Sequence, residues 1–161
     1  VGKALWFDDT AAASLFEISA KARRVQSMAS AESRSLKLVI VDYLQLMSPS
    51  SKEGTREQQV SEMSRGLKQM AKDLDVSVLM LSQLSRAVES RADKRPLLSD
   101  LRESGAIEQD SDNVMFLYRP GYYERGVDDG STELIISKQR NGPTGVVPLR
   151  FYSGCTSFQE Q

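Results

Sequence analysis

Two short apolar runs, LKLVIVD and VSVLMLSQ, flank one long amphipathic stretch, and this arrangement leaves the chain few folds to choose from. Leu38, Val39, Ile40 and Val41 form a continuous aliphatic run, the pattern of a strand buried on both faces. In the stretch between the runs, Thr55 and Gln58 make a capping box, the signature of a helix start. Val60, Met63, Leu67, Met70, Ala71 and Leu74 then recur on a single helical stripe. A strand, a helix and a second strand in succession predict a layered α/β domain.

The flanking sequence continues this alternation. ALWFDD is the first strand expected, and Ser14 with Glu17 form another capping box, opening a helix with Leu15, Ile18, Ala22 and Val25 on its buried stripe. SPSSKEGT reads as a polar connector. From Ser85 to Ser99 the chain turns charged, SRAVESRADKRPLLS, and predicts a long mobile loop. A short helical segment through Ile107 and Glu108 leads into the strand NVMFLYR. After the loop PGYYERGVDDGS, the runs TELIISKQR and VVPLRF are joined by NGPTG as a hairpin. Pro148 cannot donate a ladder hydrogen bond, so the last strand is expected at an edge. The chain begins VGKALWFDDT, without Met and strand-like almost at once, and is expected to be a piece of a longer protein.

Composition removes several function classes. A net charge of −1 over 161 residues excludes a polycation, so any nucleic acid must be held by a few placed contacts. The single cysteine, Cys155, cannot form an internal disulfide and fits a reducing compartment. With no histidine there is no imidazole base, nucleophile or metal ligand, and a single cysteine leaves little from which to build a zinc site. No apolar run approaches the roughly 20 residues that span a bilayer, and the start lacks the features of a signal peptide.

Four places carry chemistry. Asp42 ends the run LKLVIVD, where open α/β sheets bind ligands, and an aspartate there holds the magnesium that bridges nucleotide phosphates; it serves equally as a loop cap. Gln83 ends the next run at the same sheet edge, placed to sense a γ-phosphate or orient a water, or simply to bond a loop. Arg102 and Gly105 in SDLRESG suit a phosphodiester backbone, one by charge and one by allowing close approach, with Glu103 between them. Aromatic residues are absent there, so any binding runs through phosphates and ignores sequence. Lys138 and Arg140 stand two residues apart at the hairpin and therefore share a face; they await an anion or merely decorate the surface.

The chain contains no G-x-x-x-x-G-K-[ST] phosphate cradle. Its one Gly-Lys pair, Gly2-Lys3, precedes a strand, and Tyr43 stands where a water-activating glutamate beside Asp42 would be. This chain alone is therefore expected not to hydrolyse ATP.

Taken together, LVIVDYLQLM, LSQLSRAVESRADKRP, SDLRESGAIEQDSDNVMFLYR and SKQRNGPTG resemble, in order and spacing, the carboxy-terminal half of DnaB-type replicative DNA helicases. The resemblance covers essentially residues 1–161, from the Walker B strand onward. It implies a RecA-like, mostly parallel sheet flanked by helices, with a C-terminal β-hairpin and an incomplete core. It also implies a homohexameric ring on single-stranded DNA, cytoplasmic and away from membranes, driven by ATP with Mg2+. By position, Asp42 matches the Walker B aspartate, reaching Mg2+ through water, and Gln83 the γ-phosphate-reading glutamine. Arg102, Glu103 and Gly105 match the DNA-backbone loop of the channel, and Lys138 and Arg140 the pair that reaches a neighbour's nucleotide, with Arg140 as arginine finger. SQLSR replaces the commoner SQLNR, and the Walker A loop, the catalytic glutamate and the domain that meets primase are absent, so primase and loader would engage regions mostly outside this chain. Two rivals stand beside this reading: a RecA-like recombinase or clock-type ATPase, and a non-catalytic module that binds a helicase ring.

Overall fold

A computed structural model describes residues 5–50, 53–123 and 129–160, and for residues 102–104 the main chain only. The chain divides into two compact units, residues 1–83 with 103–110, and residues 84–102 with 111–161.

The first unit is built on a strand–helix–strand. Strand β1 (Leu38–Val41) pairs in parallel with β2 (Ser77–Met80), Val39 opposite Val78 and Val41 opposite Met80. Between them runs α2 (Arg56–Leu74), and before them α1 (Leu15–Ala31). Both expected capping boxes form, Ser14 with Glu17 and Thr55 with Gln58. The N–H and hydroxyl of Ser14 hold the Glu17 carboxyl below its usual range. Val60, Met63, Leu67, Met70 and Leu74 are buried along α2, as their spacing predicts. Gly66 lets α1 come close, since a Cβ there would stand 1.9 Å from Leu15 Cδ2, and Gln26 Nε2 donates to the Leu74 carbonyl at 2.8 Å. A short helix, α4 (Gly105–Asp110), packs on α2 through buried Ile107.

Two expectations fail in this unit. β1 is not buried on both faces: Ile40 is 56% exposed and Leu79, opposite it, 42%. Helices cover one face only among the described residues, so burial alternates along β1 instead of running through it. Residues 5–9 of ALWFDD form no strand, and Leu5 and Phe7 are exposed. A strand needs a neighbouring edge to satisfy its backbone, and they pair with none among the described residues.

The second unit is an antiparallel sheet in the order β3 (Asn113–Tyr118), β4 (Ser131–Gln139), β5 (Gly145–Tyr152), β6 (Ser157–Glu160). β5 is thus not an edge strand, because β6 pairs beside it. Pro148 stands opposite Glu133 in the pairing with β4. Gly130 sits at φ +78°, and a Cβ would meet the Phe151 carbonyl oxygen at 2.3 Å. Only glycine lets β5 approach this turn, where the Phe151 N–H donates to the Gly130 carbonyl.

The segment from Ser85 to Ser99 holds more local structure than the loop expected. A short helix, α3 (Ala87–Ser90), buries Val88, and the segment closes on an ion pair. Arg91 donates through both terminal nitrogens to the Asp100 carboxylate at 2.8 and 2.9 Å, while the Leu97 N–H donates to it at 2.7 Å. Lys94 and Arg95 lie over the rings of Tyr123 and Tyr118, and Arg95 also pairs with Glu133. Local charge balance made this segment look solvated; partners distant in sequence order it.

Asp100 is only 5% exposed, so removing its cation strands a buried carboxylate. Arg91→Met is expected to lower stability by roughly 3 kcal/mol, read as a shifted urea midpoint. A midpoint equal to that of the parent protein would show that the pair contributes nothing net.

Candidate functional site

The carboxyl ends of β1 and β2 bring two of the expected residues to one sheet edge. Asp42 directly follows Val41, and Gln83 lies three residues beyond Met80, its partner in register. Hydrogen bonds continue past the ladder: the Leu81 N–H donates to the Val41 carbonyl and the Leu44 N–H to the Leu81 carbonyl, each at 2.9 Å. Both Asp42 and Gln83 are exposed. Buried Leu44 and Met47 pin the 3-10 turn Leu44–Leu46 that follows Asp42.

Gln45, within that turn, went unrecognised in the sequence. Its Oε1 accepts the Gln83 N–H at 3.1 Å, and its Nε2 donates to Ser82 Oγ at 3.0 Å and to the Gln83 carbonyl at 3.3 Å. Arg56 Nη2 donates to the Gln45 carbonyl at 2.8 Å. The one signal in the sequence was a polar residue inside the apolar run DYLQLM.

No group of three or more acidic, cysteine or histidine side chains gathers into a metal cage among the described residues. An exposed carboxylate such as Asp42 suits magnesium, which keeps most of its waters and takes one or two carboxylates beside substrate phosphates.

In the second unit, β3 and β4 shift register between Val114 and Met115. Ile136 pairs with Met115 but Lys138 pairs with Val114, so Ser137 is the extra residue of a bulge. The bulge moves Lys138 onto the face of buried Val114 and Phe116, and Lys138 is half-buried. The Arg140 N–H donates to the Asp112 carbonyl at 2.9 Å, which extends the ladder one residue beyond β4. Lys138 and Arg140 thus keep their two-residue step and share a face. Arg140 Nε lies 3.6 Å from Asp112 Oδ1, with the side chains 54% and 52% exposed.

The DLRESG segment lies across the boundary of the units, Arg102 in the second and Glu103 in the first. The side chains of Arg102 and Glu103 fall outside the described residues. Gly105 begins α4, and no heavy atom stands within 4 Å of where its Cβ would be. The fold itself therefore does not demand glycine there. Asp42, Gln83, Glu103 and Gly105 belong to one unit, Arg102, Lys138 and Arg140 to the other.

This architecture has clear counterparts among solved structures. One solved ATPase domain superposes with a TM-score of 0.86 at 45% identity, over 92% of this chain and 52% of that one. A DnaB-like replicative helicase, studied with its interactions with primase, gives 0.82 at 46% identity, over 88% of this chain and 34% of that one. The fold is that of a RecA-like helicase ATPase domain. Residues 2–160 match the model of the DnaB-like helicase C terminal domain, and the chain belongs to that family. It is 47% identical to the replicative DNA helicase DnaC of Bacillus subtilis (strain 168) and 48% identical to the replicative DNA helicase DnaB of Geobacillus stearothermophilus. Each alignment covers 96% of this chain and 33% of the relative, so the chain spans about a third of their length.

An exposed pair at 3.6 Å contributes little to folding. Asp112→Asn is expected to change stability by less than about 0.5 kcal/mol, measured by thermal denaturation. A larger loss would mean that Arg140 is committed to a structural pair.

Proposed function

We propose that this chain supplies the later part of the ATP-driven motor of a replicative DNA helicase, a hexameric ring that unwinds duplex DNA while moving on one strand. One observation carries the reading: Asp42 and Gln83 emerge side by side from adjacent parallel strands, while a basic pair ends a hairpin in a sequence with no phosphate cradle. The family match favours a helicase over a recombinase, a clock-type ATPase or a non-catalytic module.

In this mechanism Asp42 would hold Mg2+ through water, and the ion would offset the charge of the ATP phosphates. Gln83 offers a neutral amide to the γ-phosphate, donating in one nucleotide state and losing its partner in the other. Arg140 reaches the nucleotide of an adjoining copy, where its planar fork stabilises charge as it develops. Such a finger is worth on the order of 10³–10⁵ in rate in other nucleotide hydrolases. Lys138 adds a second, less directional charge. By itself the chain lacks the cradle and the base, and is expected to be inactive. Arg102, Glu103 and Gly105 belong to the loop that follows the DNA backbone without reading bases. Primase and a loader would meet this helicase mostly through regions outside this chain. No helix among the described residues is long and apolar enough to cross a membrane, and the proposed setting is the cytoplasm.

In the intact protein, Arg140→Ala is expected to abolish DNA-stimulated ATP hydrolysis while nucleotide binding, followed with a fluorescent analogue, stays near normal. Turnover close to that of the parent protein would remove the finger. Arg102→Ala is expected to weaken single-strand binding equally for all sequences. The slope of log K against log salt should become shallower by roughly 0.7 for each phosphate that Arg102 neutralises. An unchanged slope would take Arg102 off the backbone.

A further inference from the structure

We propose that Gln45 is a positioning residue that couples the phosphate-sensing end of β2 to the DNA-facing segment ahead of α4; this rests on the helicase-motor reading above. A carboxamide offers one acceptor and two donors, the same groups that a neighbouring strand presents. Leu81 still bonds the Val41 and Leu44 main chains, but beyond it the β1–β2 pairing has ended. Gln45 takes the partner's place, accepting the Gln83 N–H and donating back to the Gln83 carbonyl and to Ser82 Oγ. Both the N–H and the carbonyl of Gln83 are thereby bonded to the Gln45 side chain.

The other end of Gln45 faces α2. Its carbonyl accepts from Arg56, the first residue of that helix, at 2.8 Å. α2 runs for 19 residues and packs on α4, whose first residue is Gly105. A continuous run of contacts therefore leads from Gln83 through Gln45 and Arg56 to the part of the DLRESG segment from Glu103 onward, all within one compact unit. A displacement of the Gln83 main chain, as its amide gains or loses a γ-phosphate, has to displace Gln45 or break its bonds. Gln45 touches neither nucleotide nor DNA in this scheme and acts only through Gln83 and Arg56.

In the intact protein, Gln45→Met keeps the side chain's length and removes every hydrogen bond that side chain makes. The stimulation of ATP hydrolysis by single-stranded DNA is expected to fall about 3- to 30-fold. Equilibrium binding of a fluorescent ATP analogue, and of single-stranded DNA without nucleotide, should stay within about twofold. Arg56→Met, at an exposed position, cuts the same route at its next joint and should reproduce the loss. Stimulation equal to that of the parent protein in both variants overturns the coupling. So does a loss accompanied by equal losses of nucleotide and DNA binding, or by failure to fold, since that is a structural role. If Arg140→Ala also leaves turnover intact, the motor reading itself has failed. If Arg140→Ala abolishes turnover and both Gln45→Met and Arg56→Met do not reduce stimulation, only the coupling falls.

Discussion

Everything at the sheet edge depends on hydrogen bonding that continues past the end of a two-stranded parallel ladder. Four register pairs join β1 to β2, and a ladder that short would leave the following residues free to fray. Instead Leu81 bonds Val41, Leu44 bonds Leu81, and the Gln45 side chain bonds Gln83. Each link satisfies a backbone group that would otherwise have to find water. The outcome is that Asp42 and Gln83, far apart in sequence, leave the sheet from one edge with fixed main chains and exposed side chains. Rigid main chain beneath exposed functional groups is what a site needs if it is to discriminate phosphate states.

The second unit solves a different problem, how to present two cations at a hairpin without fully burying them. The bulge at Ser137 decides the face on which Lys138 stands, and the bond from Arg140 to the Asp112 carbonyl holds the strand geometry one residue longer. The Arg140–Asp112 pair is exposed, and a pair of that kind contributes little to stability. The Arg91–Asp100 pair is of the opposite kind. Its carboxylate is buried, its geometry bidentate and its neighbours fixed, so it orders a charged segment that would otherwise be solvated.

Both sheets carry apolar residues that the described elements leave open, among them Leu38, Ile40 and Leu79 in one and Met115 and Leu117 in the other. A run of aliphatics such as LVIV records that a strand can be buried on both sides, not which layers are present to bury it. That is why the two-sided burial read from β1 was not found. The same limit explains ALWFDD, whose pattern suits a strand although residues 5–9 have no described edge to pair with. β6 was missed because CTSFQ shows no alternation before its pairing with β5 is known.

What the sequence by itself determined was local and periodic. Capping boxes at Ser14 and Thr55, the stripe of α2, the strand runs and the positions of Asp42, Gln83, Lys138 and Arg140 all follow from spacing or from motifs. Tertiary structure alone decided the Gln45 clamp, the Ser137 bulge, the Arg91–Asp100 pair and the interior place of β5. Each of these is a contact between residues whose types are ordinary in their own neighbourhood. Hydrogen bonds and ion pairs are selected by distance and angle, and periodicity along a chain carries neither.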